Sequence, residues 1–150
     1  MESLTEAILW STLAIVVAQS TSILIMWGLG LPPKKLVHEI EDVQNPAVGA
    51  SFFVISLVVS LYISVYFSNG YSPIESFGES ALWFISGLAV GGAYMVLIFI
   101  IAHRLMDRED DESVYRYIQR EIIEEQNASL ALFLGGLSLS PFLGIVFQII

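Results

Sequence analysis

The sequence predicts an all-α membrane protein: four transmembrane helices, built as two parallel two-helix repeats, with both termini outside. Three observations predict it. Four long runs are almost free of charge, every basic residue falls in one of two connections, and two pairs of segments recur along the chain.

The runs cover about residues 7–31, 47–67, 80–102 and 128–150. A bilayer core about 30 Å thick needs about 20 helical residues, and each run supplies that length. In lipid every backbone amide must be paired within the segment, which selects helix. Packed soluble helices would carry a charged outer face, and these runs carry none.

The six basic residues set the orientation. Lys34 and Lys35 lie between the first and second runs, and Arg104, Arg108, Arg116 and Arg120 between the third and fourth. The positive-inside rule places both connections in the cytoplasm. Trp10 and Trp83 fall near the outer ends of their helices and Trp27 near an inner end, where aromatic side chains anchor at the interface.

The repeat is read from two matches. Glu6 and Trp10 recur as Glu79 and Trp83, an offset of 73 residues. Glu39, Ile40, Gln44 and Asn45 recur as Glu121, Ile122, Gln126 and Asn127, an offset of 82. The first unit is therefore 1–68 and the second 69–150, and the cytoplasmic connection 103–127 is nine residues the longer. Two helices per unit make the units parallel, unlike the inverted repeats of many transporters.

The Glu-Ile-(three residues)-Gln-Asn motif before an apolar helix, present twice, resembles the DUF350 family of small bacterial membrane proteins. The likeness covers both halves and is fullest over 104–147, from His103-Arg104-Leu105-Met106-Asp107 through Glu121-Ile122 to Asn127-Ala128. At Asn45-Pro46 the chain departs from the family, which more often has a small or branched residue after the Asn. The resemblance implies tandem two-helix units in the bacterial cytoplasmic (inner) membrane, some beside genes of envelope stress, and implies no mechanism.

Several polar features are candidates for function. Asn45 and Asn127 have the residue type that caps a helix N-terminus, and Pro46 suits the first helical position. Alternatively Glu39, Asn45, Glu121 and Asn127 form paired polar sites near a symmetry axis. Gln19 sits with Ser20, Thr21 and Ser22 at the middle of the first helix, where neutral polar groups bond across helices or line a pore. Small residues recur every four: Ser56, Ser60 and Ser64; Gly87 and Gly91; Gly136, Ser140 and Gly144. Such faces let helices approach closely, within a chain or between copies. Pro141 should bend the fourth helix, with Ser138 and Ser140 placed to serve the freed carbonyl.

The second connection predicts a helix over 113–125. Val114, Ile118 and Ile122 make its apolar face, and Glu112, Arg116, Arg120 and Glu124 a ladder of opposite charges. The acidic run 109–112 lacks the spacing of a calcium loop.

The chain has no cysteine, its net charge is −9, and no catalytic, nucleotide or metal motif occurs. That charge argues against nucleic acid as a partner. No charged residue lies deep within a run, against proton-coupled transport or voltage sensing. The expectation is a non-enzymatic protein without cofactor. Its partners are the bilayer and either further copies or another membrane or cytoplasmic protein, which makes it a scaffold. A small channel lined by neutral polar groups is the alternative.

Overall fold

The computed structural model describes residues 4–68, 77–106 and 112–149. These form α1 (Leu4–Gly28), α2 (Pro33–Glu41), α3 (Pro46–Ser68), α4 (Phe77–Leu105), α5 (Val114–Gln119) continued by a π-turn (Arg120–Glu124), and α6 (Ala128–Ile149), with no strand among them. The charged residues 107–111, Arg108 among them, lie outside the described residues, as do the side chains of Glu6, Trp10, Glu79 and Trp83.

Three helices are long and apolar enough to cross a membrane, through Ser11–Gly28, Pro46–Ser64 and Ile85–Leu105. The fourth expected run forms α6, whose described apolar stretch, Ala128–Gly144, is shorter than these. Large apolar side chains cover the outer faces of the bundle: Ile15 and Leu24 on α1, Phe53 on α3, Ile85 and Val96 on α4, Leu132 on α6.

The first helix stops before the expected boundary at 31, for a local reason. Gly30 takes φ +90°, and the Leu31 N–H donates to the Met26 carbonyl at 3.0 Å. This is a Schellman end with glycine at the left-handed position. Met26 and Leu31, which such a turn brings together, are both fully buried. Pro32 and Pro33 then restart the chain as α2, since proline is favoured in a first helical turn. The first connection is thus helical, with Leu36 and Glu39 on its buried side.

The helices pack with α3 between α1 and α6, and α4 against α6. Ala18, Val54, Val58, Val59, Tyr62, Ile63 and Phe142 form one buried cluster, and Met26, Leu31, Leu36, Ala47, Val48, Ile122 and Ala131 a second toward the ends where α1 finishes and α3 begins. Gly87 and Gly91 of α4 seat an aromatic pair: the Tyr62 hydroxyl lies over Gly87 and the Phe142 ring over Gly91. The two rings meet edge to face at 6.0 Å. On α6, Gly135 receives Val54, whereas Gly136, Ser140 and Gly144 lie on an exposed face. On α3, Ser56 and Ser60 are half-buried and Ser64 is exposed. Near Pro141, Ser138 donates to the Leu134 carbonyl at 2.7 Å, one turn back, and not to the carbonyl that the proline frees.

Neighbouring glycines on α6 therefore separate internal packing from the outer surface. Gly135→Leu drives a side chain into Val54 and is expected to lower stability by about 1–3 kcal/mol. At Gly136 an added Cβ meets no described atom within 4 Å, and Gly136→Leu is expected to leave thermal unfolding in detergent unchanged. Equal effects of the two would contradict the α3–α6 packing.

Candidate functional site

The polar candidates around Glu39 and Glu121 converge at one end of the bundle, where α1 and α4 finish and α3 and α6 begin. Two junctions stand there. Each is a short helix ending in a left-handed glutamine, followed by an asparagine that starts the next long helix.

Their backbone bonds coincide. Gln44 and Gln126 take φ 58° and 55°, uncommon for a residue with a Cβ. The Asn45 N–H donates to the Glu39 carbonyl at 2.9 Å, and the Asn127 N–H to the Glu121 carbonyl at 2.8 Å. Just before them, Val43 N–H reaches the His38 carbonyl and Glu125 N–H the Arg120 carbonyl. Both short helices thus close one residue wider than an α-helical turn, with π-type spacing. The sequence periodicity suggests one regular helix over 113–125; residues 120–124 of it are instead this π-turn.

The asparagine side chains cap the two long helices, α3 and α6. Asn45 Oδ1 accepts from the N–H groups of Ala47 and Val48 at 3.0 and 3.2 Å, and Asn127 Oδ1 from Leu130 N–H at 3.0 Å. The amide nitrogens reach back to the buried carboxylates. Asn45 Nδ2 donates to Glu39 Oε2 at 3.2 Å and Asn127 Nδ2 to Glu121 Oε2 at 2.8 Å. A carboxylate buried without such a donor would be costly.

Beyond this local likeness the junctions differ. Asn45 Nδ2 also donates across to the carbonyls of Ile122 and Ile123, at 3.1 and 3.2 Å, joining the two junctions. Asn127 makes no corresponding bond among the described residues. The second junction instead carries Arg120. Its guanidinium takes Glu112 through two bonds of 3.2 and 3.1 Å, Glu121 through one of 3.2 Å, and Glu125 besides. It also lies over the Tyr117 ring, 5.6 Å from the centroid. The charge ladder pairs across eight residues and not four: Arg120 with Glu112, and Arg116 with Glu124 on the exposed side.

This grouping shapes the titration of its members. The Arg120 hydrogen bonds hold the Glu112 carboxyl below its usual value. Glu112 and then Glu125 push Arg120 up, so it stays charged at any accessible pH. Burial, and then Glu121, push the Tyr117 phenol up.

α5 also completes the end of α1. Tyr115 donates its hydroxyl to the Gly28 carbonyl at 3.3 Å, and Gln119 its amide to the Leu29 carbonyl at 3.2 Å. These are carbonyls that a helix C-terminus leaves without partners. Neither residue stands out in the sequence, because their function depends on a helix end about 90 residues away. His103, in the last turn of α4, is buried beside the Tyr117 ring, with its Nε2 unpartnered among the described residues. His38 is exposed and pairs with Asp42 at 2.6 Å.

The other candidates are dispersed. Gln19 and Ser20 face outward from α1, while Ser22 is buried and donates to its own helix at Ala18. Among the described residues no three His, Cys, Asp or Glu side chains group as a metal site. No protein-family model, curated protein or solved structure matches the chain.

The unequal tasks of the two asparagines predict unequal effects. Asn45→Ala removes a cap, strips Glu39 of its one described side-chain partner and opens two carbonyls. It is expected to cost about 3 kcal/mol. Asn127→Ala leaves Glu121 with Arg120 and is expected to cost about 1 kcal/mol. Denaturant titration in micelles ranks the two variants, and the reverse order would contradict the bridge.

The Arg120 grouping predicts a response to acid. Glu112 has a lowered pKa in the folded chain, so its stabilisation is present above the ordinary glutamate value of about 4.5 and is lost as pH falls through the lowered one. Thermal unfolding between about pH 3 and 7 should show this acid limb. Arg120→Gln should flatten it.

Proposed function

We propose that this chain is a four-span integral membrane protein, made of two parallel two-helix repeats, that serves as a non-enzymatic, self-associating scaffold in the bacterial cytoplasmic membrane. One observation carries the scaffold reading. The acidic and amide side chains of Glu39, Asn45, Glu121 and Asn127 are held by one another and by backbone groups of the chain, an arrangement that fixes helix directions.

The repeat is supported by the paired bonds of Glu39–Asn45 and Glu121–Asn127 and by the left-handed glutamines between them. The fourth span is supported by the length of α6, whose 22 residues reach about 33 Å. Both charged connections meet at one end of the bundle, which supports a single cytoplasmic side with both termini outside. Membership of the DUF350 family is part of the same reading and rests on the repeated Glu-Ile…Gln-Asn motif. A partner that docks from the cytoplasm would meet α2, α5 and the charged segment 107–112.

The channel reading lines a pore with the polar residues of α1 and α3. Gln19 and Ser20 of α1 face outward from a single chain, so conduction through them would need several copies around α1.

Purification in a mild detergent followed by native mass measurement is expected to give more than one copy, and proteoliposomes are expected to hold an ion gradient. A single-chain mass would overturn self-association. Ion flux abolished by Gln19→Leu would replace the scaffold with a channel. A reporter fused after Ile150 is expected to be active only outside the cytoplasm.

A further inference from the structure

We infer that α1 is the seam between two copies of this chain, with Gln19 pairing with Gln19 of a second copy at mid-membrane depth; the inference rests on the self-associating, membrane-spanning reading above. Gln19 stands near the centre of the apolar stretch Ser11–Gly28. Its side chain is exposed and makes no hydrogen bond among the described residues. At a rise of 1.5 Å per residue, the nearer end of that stretch lies roughly 12 Å away, farther than a glutamine reaches. The amide therefore faces lipid with two donors and an acceptor unsatisfied unless another protein covers it.

Two other polar groups of α1, the hydroxyls of Thr12 and Ser22, do not raise this demand. Thr12 donates to the Ile8 carbonyl at 2.8 Å and Ser22 to Ala18 at 2.8 Å, each within its own helix. A glutamine cannot close such a short loop as readily, and its exposed amide remains open. The neighbours of Gln19 on this face, Ile15 and Val16, are strongly exposed as well. Apolar side chains are content in lipid or in a helix contact, so they accept either. The amide decides between them.

A second copy is the occupant that the amide fits. Its NH2 is the positive end of the group dipole and its carbonyl the negative end, so two glutamines across a two-fold axis pair donor to acceptor in both directions. A closed, isologous contact of this kind needs one residue and no further complementary group. Interhelical bonds of this type act inside membranes, where water does not compete for the same donors.

The absence of cysteine makes the test direct, because one introduced thiol is the only thiol in the chain. Single cysteines at Thr12, Val16 and Ile23 report on the face of Gln19, and at Phe53 and Tyr94 on the exposed faces of α3 and α4. Oxidation in native membranes is expected to give a cross-linked dimer from the α1 positions and none from Phe53 or Tyr94. Adding Gln19→Leu should lower the dimer yield about tenfold, and Gln19→Asn should restore part of it.

Undiminished dimer with Gln19→Leu would overturn the inference. So would rapid labelling of a cysteine at Val16 by a membrane-impermeant cationic reagent, which would put water on that face. Native mass separates the seam from self-association itself. A multiple of the chain mass with no α1 cross-link sinks the seam and leaves self-association standing, whereas a single-chain mass sinks both.

Discussion

The structure depends on the side chain of one asparagine. Asn45 caps α3 with its oxygen, and with its nitrogen holds the buried Glu39 carboxylate and the carbonyls of Ile122 and Ile123. Each of those acceptors would otherwise lie unpaired in a region with little water. A π-turn leaves backbone carbonyls out of step with the N–H groups behind them, and here a distant amide closes the gap. The wide turn of the second half and the first turn of α3 therefore specify each other. The ties of Tyr115 and Gln119 to the end of α1 extend that agreement, so three helix ends are set by a few polar bonds. The core supplies the remaining order through the aromatic pair seated on the glycines of α4.

How much of this was legible in the sequence depends on the range of the interaction behind each feature. The helical class and the approximate helix bounds come from runs of uncharged residues, which report local burial or lipid contact directly. The types and spacing of Glu39 with Asn45, and of Glu121 with Asn127, mark the two junctions because capping is a local interaction. α2 was less visible. Its nine residues carry a single buried apolar side chain, Leu36, and prolines at its start that read equally well as a turn. The π-turn leaves almost no trace, since one added residue in the hydrogen-bond spacing barely disturbs the apolar periodicity of Ile118 and Ile122. Tertiary partners were illegible: nothing in Gly135-Gly136 says which glycine receives Val54.

The two junctions show how equal local chemistry accepts unequal loads. Their turns, left-handed glutamines and Glu–Asn bonds coincide. Yet His38 stands where the second junction has Arg120, and it turns outward to Asp42. Arg120 turns inward to three carboxylates and the face of Tyr117. Coulomb attraction among groups of which Glu112 and Glu121 are largely shielded from water is stronger than among exposed ones. The second junction is thereby ionic where the first is a matter of amide bonds. The longer connection feeds into the ionic one.

Glu112 is the first described residue after the charged stretch 107–111, and it grips Arg120 with both oxygens. Arg120 grips Glu121, Glu121 grips Asn127, and Asn127 holds the first turn of α6. Tension applied at Glu112 is thus handed along a chain of polar contacts to the root of one long helix. No comparable cord runs to α3 among the described residues, and its root is moored to the backbone of the opposite half. The molecule has one tethered handle and one fixed anchor, side by side at the same end.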